Sequence, residues 1–459
     1  MGRFFGTDGF RGEAGSVLTA EHAYKVGRYL GWYHASKIKD QGQNSGSRSR
    51  IVIGEDTRRS SGMLENALAA GITASGADVY LMHVTTTPSV SYITKKMGFD
   101  CGVMISASHN PYYDNGLKVI NGDGSKLSDD QIAEIEAYLL GDTDKLPYAL
   151  REDIGAIYDY EDGVKAYKQH IIGIAEADGV DLKGKKIALD LANGAASGIA
   201  GDIFKELGAE VYVIGDRPDG FNINDKVGST HTEALCETVK KYGCDIGFAY
   251  DGDADRCLAS DEQGREINGD QIIYACARYM KDQGLLWKNT AAVTVMSNYG
   301  TFKAFENAGI GYETTAVGDR FVWECMEKNG YALGGEQSGH IIFAKDASTG
   351  DGILTSVKVM GALLGSKAGK ASELFAECSM YPQVLKNVRV SDKDAVLNNE
   401  NVKAAVKKAE EELNGTGRVL LRKSGTEPVI RVMAEAGTTD ECGRICDNII
   451  SVMKEEGLA

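Results

Sequence analysis

Short runs of Val, Ile and Ala alternate along the chain with stretches in which apolar residues recur every three or four positions. This alternation marks strand–helix–strand architecture. In the first part it predicts strands at 50–56 (RIVIGED), 77–84 and 101–108, with helices at 63–76 and 89–98. The pattern returns with strands at 185–192, 209–215 and 244–250 and helices at 194–208 and 231–243. It returns again with strands at 291–296, 311–317 and 331–336 and helices at 298–309 and 320–330. The chain thus carries one weak repeat of roughly a hundred residues three times over. Amphipathic segments at 160–178 and 351–370 are expected to open the second domain and close the third. The last part differs: strands at 383–390 and 417–424 and helices at 402–415 and 438–457 predict a small α+β domain.

Each repeat ends on a strand followed by an unusual polar loop: SASHNPYYDNG, DGDADR and GGEQSGH. Ligands of open α/β sheets bind beyond the carboxyl ends of strands, so three like domains can bring these loops to one cleft. The small domain carries its own such loop, RKSGTEPVIR at 422–431. The segment 41–50 (QGQNSGSRSR) is polar and rich in Gly and Ser, and is expected to be an exposed loop; no function is read in it.

Composition narrows the classes. At 459 residues, 43% hydrophobic and 25% charged, the chain can bury several cores without disulfides. Its 56 Gly against 6 Pro suit many tight junctions and argue against Pro-rich linkers. A net charge of −16 argues against nucleic-acid binding, which needs a basic face. The nine cysteines are scattered and odd in number, and read as free thiols in a reducing compartment. Cys442 and Cys446 are expected to be two buried thiols on one helical face. The first residues have no long apolar run, and no segment approaches the length of a membrane span. The expected location is the cytoplasm, with no membrane partner.

Asp251, Asp253 and Asp255 follow a strand at alternate positions. Three such carboxylates repel one another unless a cation sits between them, and hard oxygen ligands select Mg²⁺ or Ca²⁺. A calcium loop of the EF-hand kind fits poorly, because its sixth position needs Gly and here is Arg256. Ser108 stands at a strand terminus, where a hydroxyl is either a turn cap or a nucleophile. His109 follows it directly, so its ring is expected to point away, and there is no G-x-S-x-G elbow. Arg11, Lys118, Arg256, Arg422 and Arg431 lie in or beside polar loops and together suggest an anion site. Ser424, Gly425 and Thr426 offer backbone N–H groups and two hydroxyls as a phosphate cradle. Glu336 and Ser338 are either part of a glycine-rich turn or partners for neighbouring sugar hydroxyls.

Five segments, GTDGFRG (6–12), ISASHNPYYDNGLK (105–118), DGDADR (251–256), GGEQSGH (334–340) and RKSGTEPVIR (422–431), occur in one order. Together they resemble the α-D-phosphohexomutase superfamily through nearly the whole chain. GSTH (228–231), VGDRFV (317–322) and Gln337 are similar to its branch acting on glucosamine phosphates. The resemblance implies an α/β fold of three similar mixed α/β domains plus a smaller C-terminal α+β domain around a central cleft. The expected boundaries are 1–155 (phosphoserine), 156–258 (metal), 259–372 (sugar) and 373–459 (phosphate-binding lid). It implies that Ser108 carries the phosphoryl group and that Asp251, Asp253 and Asp255, with Ser108, hold Mg²⁺. Glu336 and Ser338 are implied to contact the sugar, and Arg422, Ser424, Gly425, Thr426 and Arg431 the idle phosphate. Arg11, Lys118 and Arg256 lie in loops that can reach the transferred charge. The implied reaction interconverts glucosamine 6-phosphate and glucosamine 1-phosphate through glucosamine 1,6-bisphosphate, supplying amino-sugar nucleotides and cell-wall precursors. Lys118 is preferred to His109 for proton transfer, because one base must follow two different hydroxyls. The bisphosphate has to turn around without escaping, which places a hinge near 370–380. A homodimer is a family-level expectation. The alternatives are a mutase for mannose or glucose phosphates, and a non-catalytic protein that binds phosphosugar or metal. Ala254, where the family often has Gly, and Lys423, where a small residue is common, depart from the pattern.

Overall fold

The structure is a computed structural model describing residues 4–6, 9–40, 48–141, 145–424 and 427–459. Most of the expected exposed loop at 41–50, Thr7 and Asp8 of the first motif, and Gly425 and Thr426 lie outside the described residues. By contacts the chain forms two units, 1–296 with 310–376 and 297–309 with 377–459.

The first unit holds three sheets built on one plan. In the first, strand Arg50–Glu55 pairs in parallel with Asp78–Val84 on one side and Cys101–Ile105 on the other. Cys101–Ile105 then pairs antiparallel with Asp114–Asn121. The second sheet repeats this with Lys186–Asp190, Glu210–Ile214, Ile246–Tyr250 and antiparallel Cys257–Asp261. The third repeats it with Thr290–Thr294, Gly311–Thr315, Leu333–Gly335 and antiparallel Ile341–Phe343. The three polar loops are therefore the connections from the third strand to its antiparallel neighbour, one in each sheet. The central strands are buried on both faces, as Ile51, Val52 and Ile53 show. That explains why they read as continuous apolar runs rather than alternating ones.

Two of the sheets run past the expected boundaries. The first extends past 155 through Ile157–Asp159, which pairs with Asp78–Val84. The second extends past 258 through Cys257–Asp261 and Glu266–Ile267. Helix Tyr299–Ala308, expected within the third domain, belongs to the second unit. Glu435 accepts from the Asn298 side chain (3.2 Å) and the Tyr299 N–H (2.9 Å), which holds the helix there. The helix expected at 194–208 starts only at Ala200. Its first residues turn instead toward the second polar loop: the Ala195 N–H donates to the Gly252 carbonyl at 2.8 Å.

In the second unit, strand Val429–Glu435 lies between Gln383–Arg389 and Arg418–Lys423, antiparallel to both. Helix Thr439–Glu455 covers this sheet and buries Cys442 and Cys446, which are free thiols. Among the described residues no helix is long and apolar enough to cross a membrane.

Candidate active site

Strand Cys101–Ile105 ends one turn before Ser108, which is 1% exposed and adopts a left-handed backbone (φ 53). For a serine that conformation costs about 1 kcal/mol or more and persists only where neighbours impose it. They are identifiable. The Ser108 N–H donates to Ser106 Oγ at 2.9 Å. The Ser108 carbonyl accepts from Arg58 Nη2 and from Asn224 Nδ2, each at 2.9 Å. Arg58 also donates to the carbonyls of Asn110 (2.9 Å) and Pro111, and its Nε to Asp56 at 2.9 Å. Asp56 in turn accepts from Ser61 and Ser106. A buried Arg–Asp pair thus clamps the serine loop.

The second loop meets the first closely. A Cβ on Gly252 would sit 2.5 Å from the Ser108 carbonyl oxygen, so only glycine fits there. Ala254 is left-handed (φ 56), which curls the loop. The curl, rather than the alternation of an extended strand, gathers Asp251, Asp253 and Asp255. One ligand oxygen from each lies within 4.8 Å of the others, and all three residues are buried. Burial and the neighbouring carboxylates of Asp255 and Asp253 push Asp251 well above the usual carboxylate range. For Asp255 burial acts in the same sense, but the Lys118 ammonium, with His340 and Arg256, outweighs it and holds the group well below that range. Asp253 Oδ1 is buried without a hydrogen-bond partner. Three buried, mutually repelling carboxylates with a spare oxygen are chemically fit for a hard divalent cation.

Ser108 Oγ donates to Asp251 Oδ2 at 2.6 Å, which ties the hydroxyl directly to this cluster. Lys118 Nζ lies 2.6 Å from Asp253 Oδ2 and 3.1 Å from Asp255 Oδ2. Contrary to expectation, His109 does not point away: its Nδ1 is 3.2 Å from Ser108 Oγ. Arg256 Nη1 donates to that same Nδ1 at 3.1 Å, occupying its lone pair. Burial, Arg256 and Arg11 push the imidazole down to about 4, so it is neutral at pH 7.

The third loop adjoins a cavity of about 420 Å³ lined by Arg11, Asp255, Arg256, Asp319, Glu336 and His340, among others. That is within the range of about 300–1,000 Å³ common for small-molecule sites. Glu336 is fixed by the Gly318 N–H, 2.9 Å from Oε1, while Ser338 is exposed. Gly339 is left-handed (φ 91), and a Cβ there would lie 2.5 Å from the Cys257 carbonyl, which seats the third loop on the second. His340 is buried between Asp255 and Asp319 (3.7 and 3.4 Å). Burial opposes its charge, and the two carboxylates outweigh burial and raise its pKa.

In the second unit Arg422 and Arg431 are directly opposite each other on paired strands. Burial and then the Arg431 charge lower the pKa of Arg422. The Nε atoms of both are buried without a hydrogen-bond partner. Like charges facing each other across a ladder are unfavourable, and an anion between them would relieve this. Ser424 Oγ accepts from the Glu427 N–H at 3.2 Å. Lys423 turns to Asp394 at 2.5 Å.

Sequence reasoning missed Asp56, Arg58, Asn224, Thr87, Asp319 and the place of His340. The signal for the first two was a polar D-x-R stretch directly after a strand with a buried apolar centre.

Four parts of the chain match the phosphoglucomutase/phosphomannomutase family. Residues 2–145, 165–264 and 268–381 match its alpha/beta/alpha domains I, II and III, and residues 385–452 match its C-terminal domain. The chain is 53% identical over 459 residues to a phosphoglucosamine mutase of Lachnospira eligens, covering 100% of both proteins. Its fold is similar to a phosphoglucomutase/phosphomannomutase family protein of Burkholderia thailandensis, with TM-score 0.79, 22% identity and 100% and 99% of the two chains covered. It is also similar to Aspergillus fumigatus N-acetylphosphoglucosamine mutase, solved with GlcNAc-6P and magnesium, with TM-score 0.70, 17% identity and 100% and 96% covered.

Proposed function

The chain belongs to the phosphoglucomutase/phosphomannomutase family, and from that membership we infer that it is an isomerase interconverting glucosamine 6-phosphate and glucosamine 1-phosphate. Full-length identity to phosphoglucosamine mutases supports this substrate over glucose or mannose phosphates. One observation supports the chemistry most strongly: Ser108 Oγ bonds to a carboxylate of the buried acidic triad.

In the proposed course Ser108 enters each cycle phosphorylated. Its phosphoryl group passes to O1 of glucosamine 6-phosphate, as the bond from phosphorus to Oγ breaks and that to O1 forms. The 1,6-bisphosphate turns around and returns its 6-phosphoryl group to Oγ. Asp251, Asp253 and Asp255, with an oxygen on Ser108, would hold Mg²⁺, which when bound offsets charge on the transferred group. Arg256, anchored through the Asp251 carboxylate and His109, faces the same charge from the cavity. Lys118, an ammonium between Asp253 and Asp255 in the structure, first releases a proton to solvent and then, as the neutral amine, takes and returns the sugar proton, since the accepting nitrogen of His109 facing Ser108 is already engaged by Arg256. Glu336 accepts from sugar hydroxyls, with Ser338 beside it at the rim. Arg422, Arg431 and Ser424, with Gly425 and Thr426, bind the idle phosphate.

Turnover of glucosamine 6-phosphate should exceed that of glucose 6-phosphate and mannose 6-phosphate by at least about tenfold in kcat/KM, since one well-placed polar contact contributes about 1.4 kcal/mol or more. A preference for either neutral sugar phosphate would overturn the substrate. Asp253→Asn removes one of three ligand charges. It should raise the Mg²⁺ concentration for half-maximal turnover by at least about tenfold. An unchanged Mg²⁺ titration would remove the metal from this loop.

A further inference from the structure

Asp253 is held by a helix residue that takes no part in the chemistry above. Thr87 is the first residue of helix Thr87–Lys96, capped by the Thr86 side chain and carrying Pro88 in its first turn. Its backbone N–H donates to the Asp253 carbonyl at 3.1 Å. Its hydroxyl donates to Asp253 Oδ2 at 2.5 Å. Thr87 is 6% exposed and Asp253 is fully buried, so water does not substitute for either bond.

A carboxylate has two oxygens and a soft terminal torsion, so something must decide which oxygen faces Asp251 and Asp255. Oδ2 receives both the Thr87 hydroxyl and Lys118 Nζ (2.6 Å), whereas Oδ1 has no hydrogen-bond partner. The two donors differ in charge and in freedom. Lys118 is an ammonium on a flexible stem, and a cation entering the triad competes with it for the same carboxylates. Thr87 is neutral, on a short side chain, and fixed at the start of a helix by its own N–H, which donates to the Asp253 carbonyl. A donor of this kind keeps the ligand oriented when the charge around it changes.

We propose that Thr87 is a positioning residue for the metal loop, orienting Asp253 so that Oδ1 is presented to the divalent cation. This rests on the reading of the acidic triad as a Mg²⁺ site. Groups that orient a metal ligand typically contribute about 10–100-fold to metal affinity. Thr87→Val keeps the shape and removes the donor; Thr87→Ser keeps the donor and removes a methyl group.

The test is calorimetric titration of the full-length enzyme with Mg²⁺, without substrate, on the parent and both variants. Each is held well below its own unfolding midpoint, so that a loss of stability in one variant does not enter the comparison. The expected result is a Kd raised about tenfold in Thr87→Val and within about twofold of the parent in Thr87→Ser. Equal Kd values for the parent and Thr87→Val would overturn the proposal. So would Thr87→Ser binding as weakly as Thr87→Val, since packing of the methyl group would then be what matters. A parent that takes up no Mg²⁺ would instead overturn the metal reading itself, a separate outcome.

Discussion

Ser108→Ala is expected to lower turnover by at least about a thousandfold, because loss of a covalent nucleophile removes the step on which every cycle depends. The structure gives reasons to expect the loss to be chemical rather than structural. Ser108 is held through its backbone: the N–H by Ser106, and the carbonyl by Arg58 and Asn224. Alanine keeps all three bonds. It loses only the hydroxyl bond to Asp251 and the contact with His109. The folded protein should therefore persist, with Mg²⁺ uptake retained at weakened affinity. Measured together, kcat, the unfolding midpoint and Mg²⁺ binding separate these outcomes. Turnover within tenfold of the parent would exclude Ser108 as carrier.

Arg58→Leu is expected to be the most damaging change outside the reacting groups. Both members of the Arg58–Asp56 pair have fully buried side chains. Deleting one partner of a buried pair typically costs about 3–5 kcal/mol, because the other charge is left uncompensated. Here the arginine also serves three carbonyls, those of Ser108, Asn110 and Pro111. The strained conformation of Ser108 would lose part of what imposes it. We expect an unfolding midpoint lower by at least about 5 °C and a fall in kcat larger than any rise in KM. Arg58→Lys should fall between, since a single ammonium cannot serve a carboxylate and three carbonyls at once. A Leu variant as stable and active as the parent would show that the serine loop holds itself.

What the sequence made legible was local. The apolar runs at 50–56, 101–108 and 244–250 read as strands because each is short, bounded by polar or glycine-rich turns and buried on both faces. Asp251, Asp253 and Asp255 were legible because three carboxylates within five residues already imply a cation. What stayed hidden depends on partners distant in sequence. Thr87 and Asp253 are separated by 166 positions, and Asn224 and Ser108 by 116. The stretch 194–199 carries helix-forming alanines, yet Ala195 bonds to Gly252 in the second loop, a tertiary contact that outweighs propensity. The return strands Asp114–Asn121 and Cys257–Asp261 were not read as strands, because the first begins inside the loop SASHNPYYDNG and the second is only five residues long with polar residues among the apolar ones. His109 was misplaced by the assumption that neighbours in sequence diverge. The left-handed turn at Ser108 brings its ring back toward the hydroxyl.

The central claim is that Ser108 carries the phosphoryl group between the two sugar positions. The most direct test is intact-mass analysis with peptide mapping of the active enzyme, before and after it is mixed with glucosamine 1-phosphate. The account predicts one phosphate per chain, located on Ser108, that leaves the protein and appears in glucosamine 1,6-bisphosphate. A fully active enzyme with no phosphate on Ser108 at any point would contradict it.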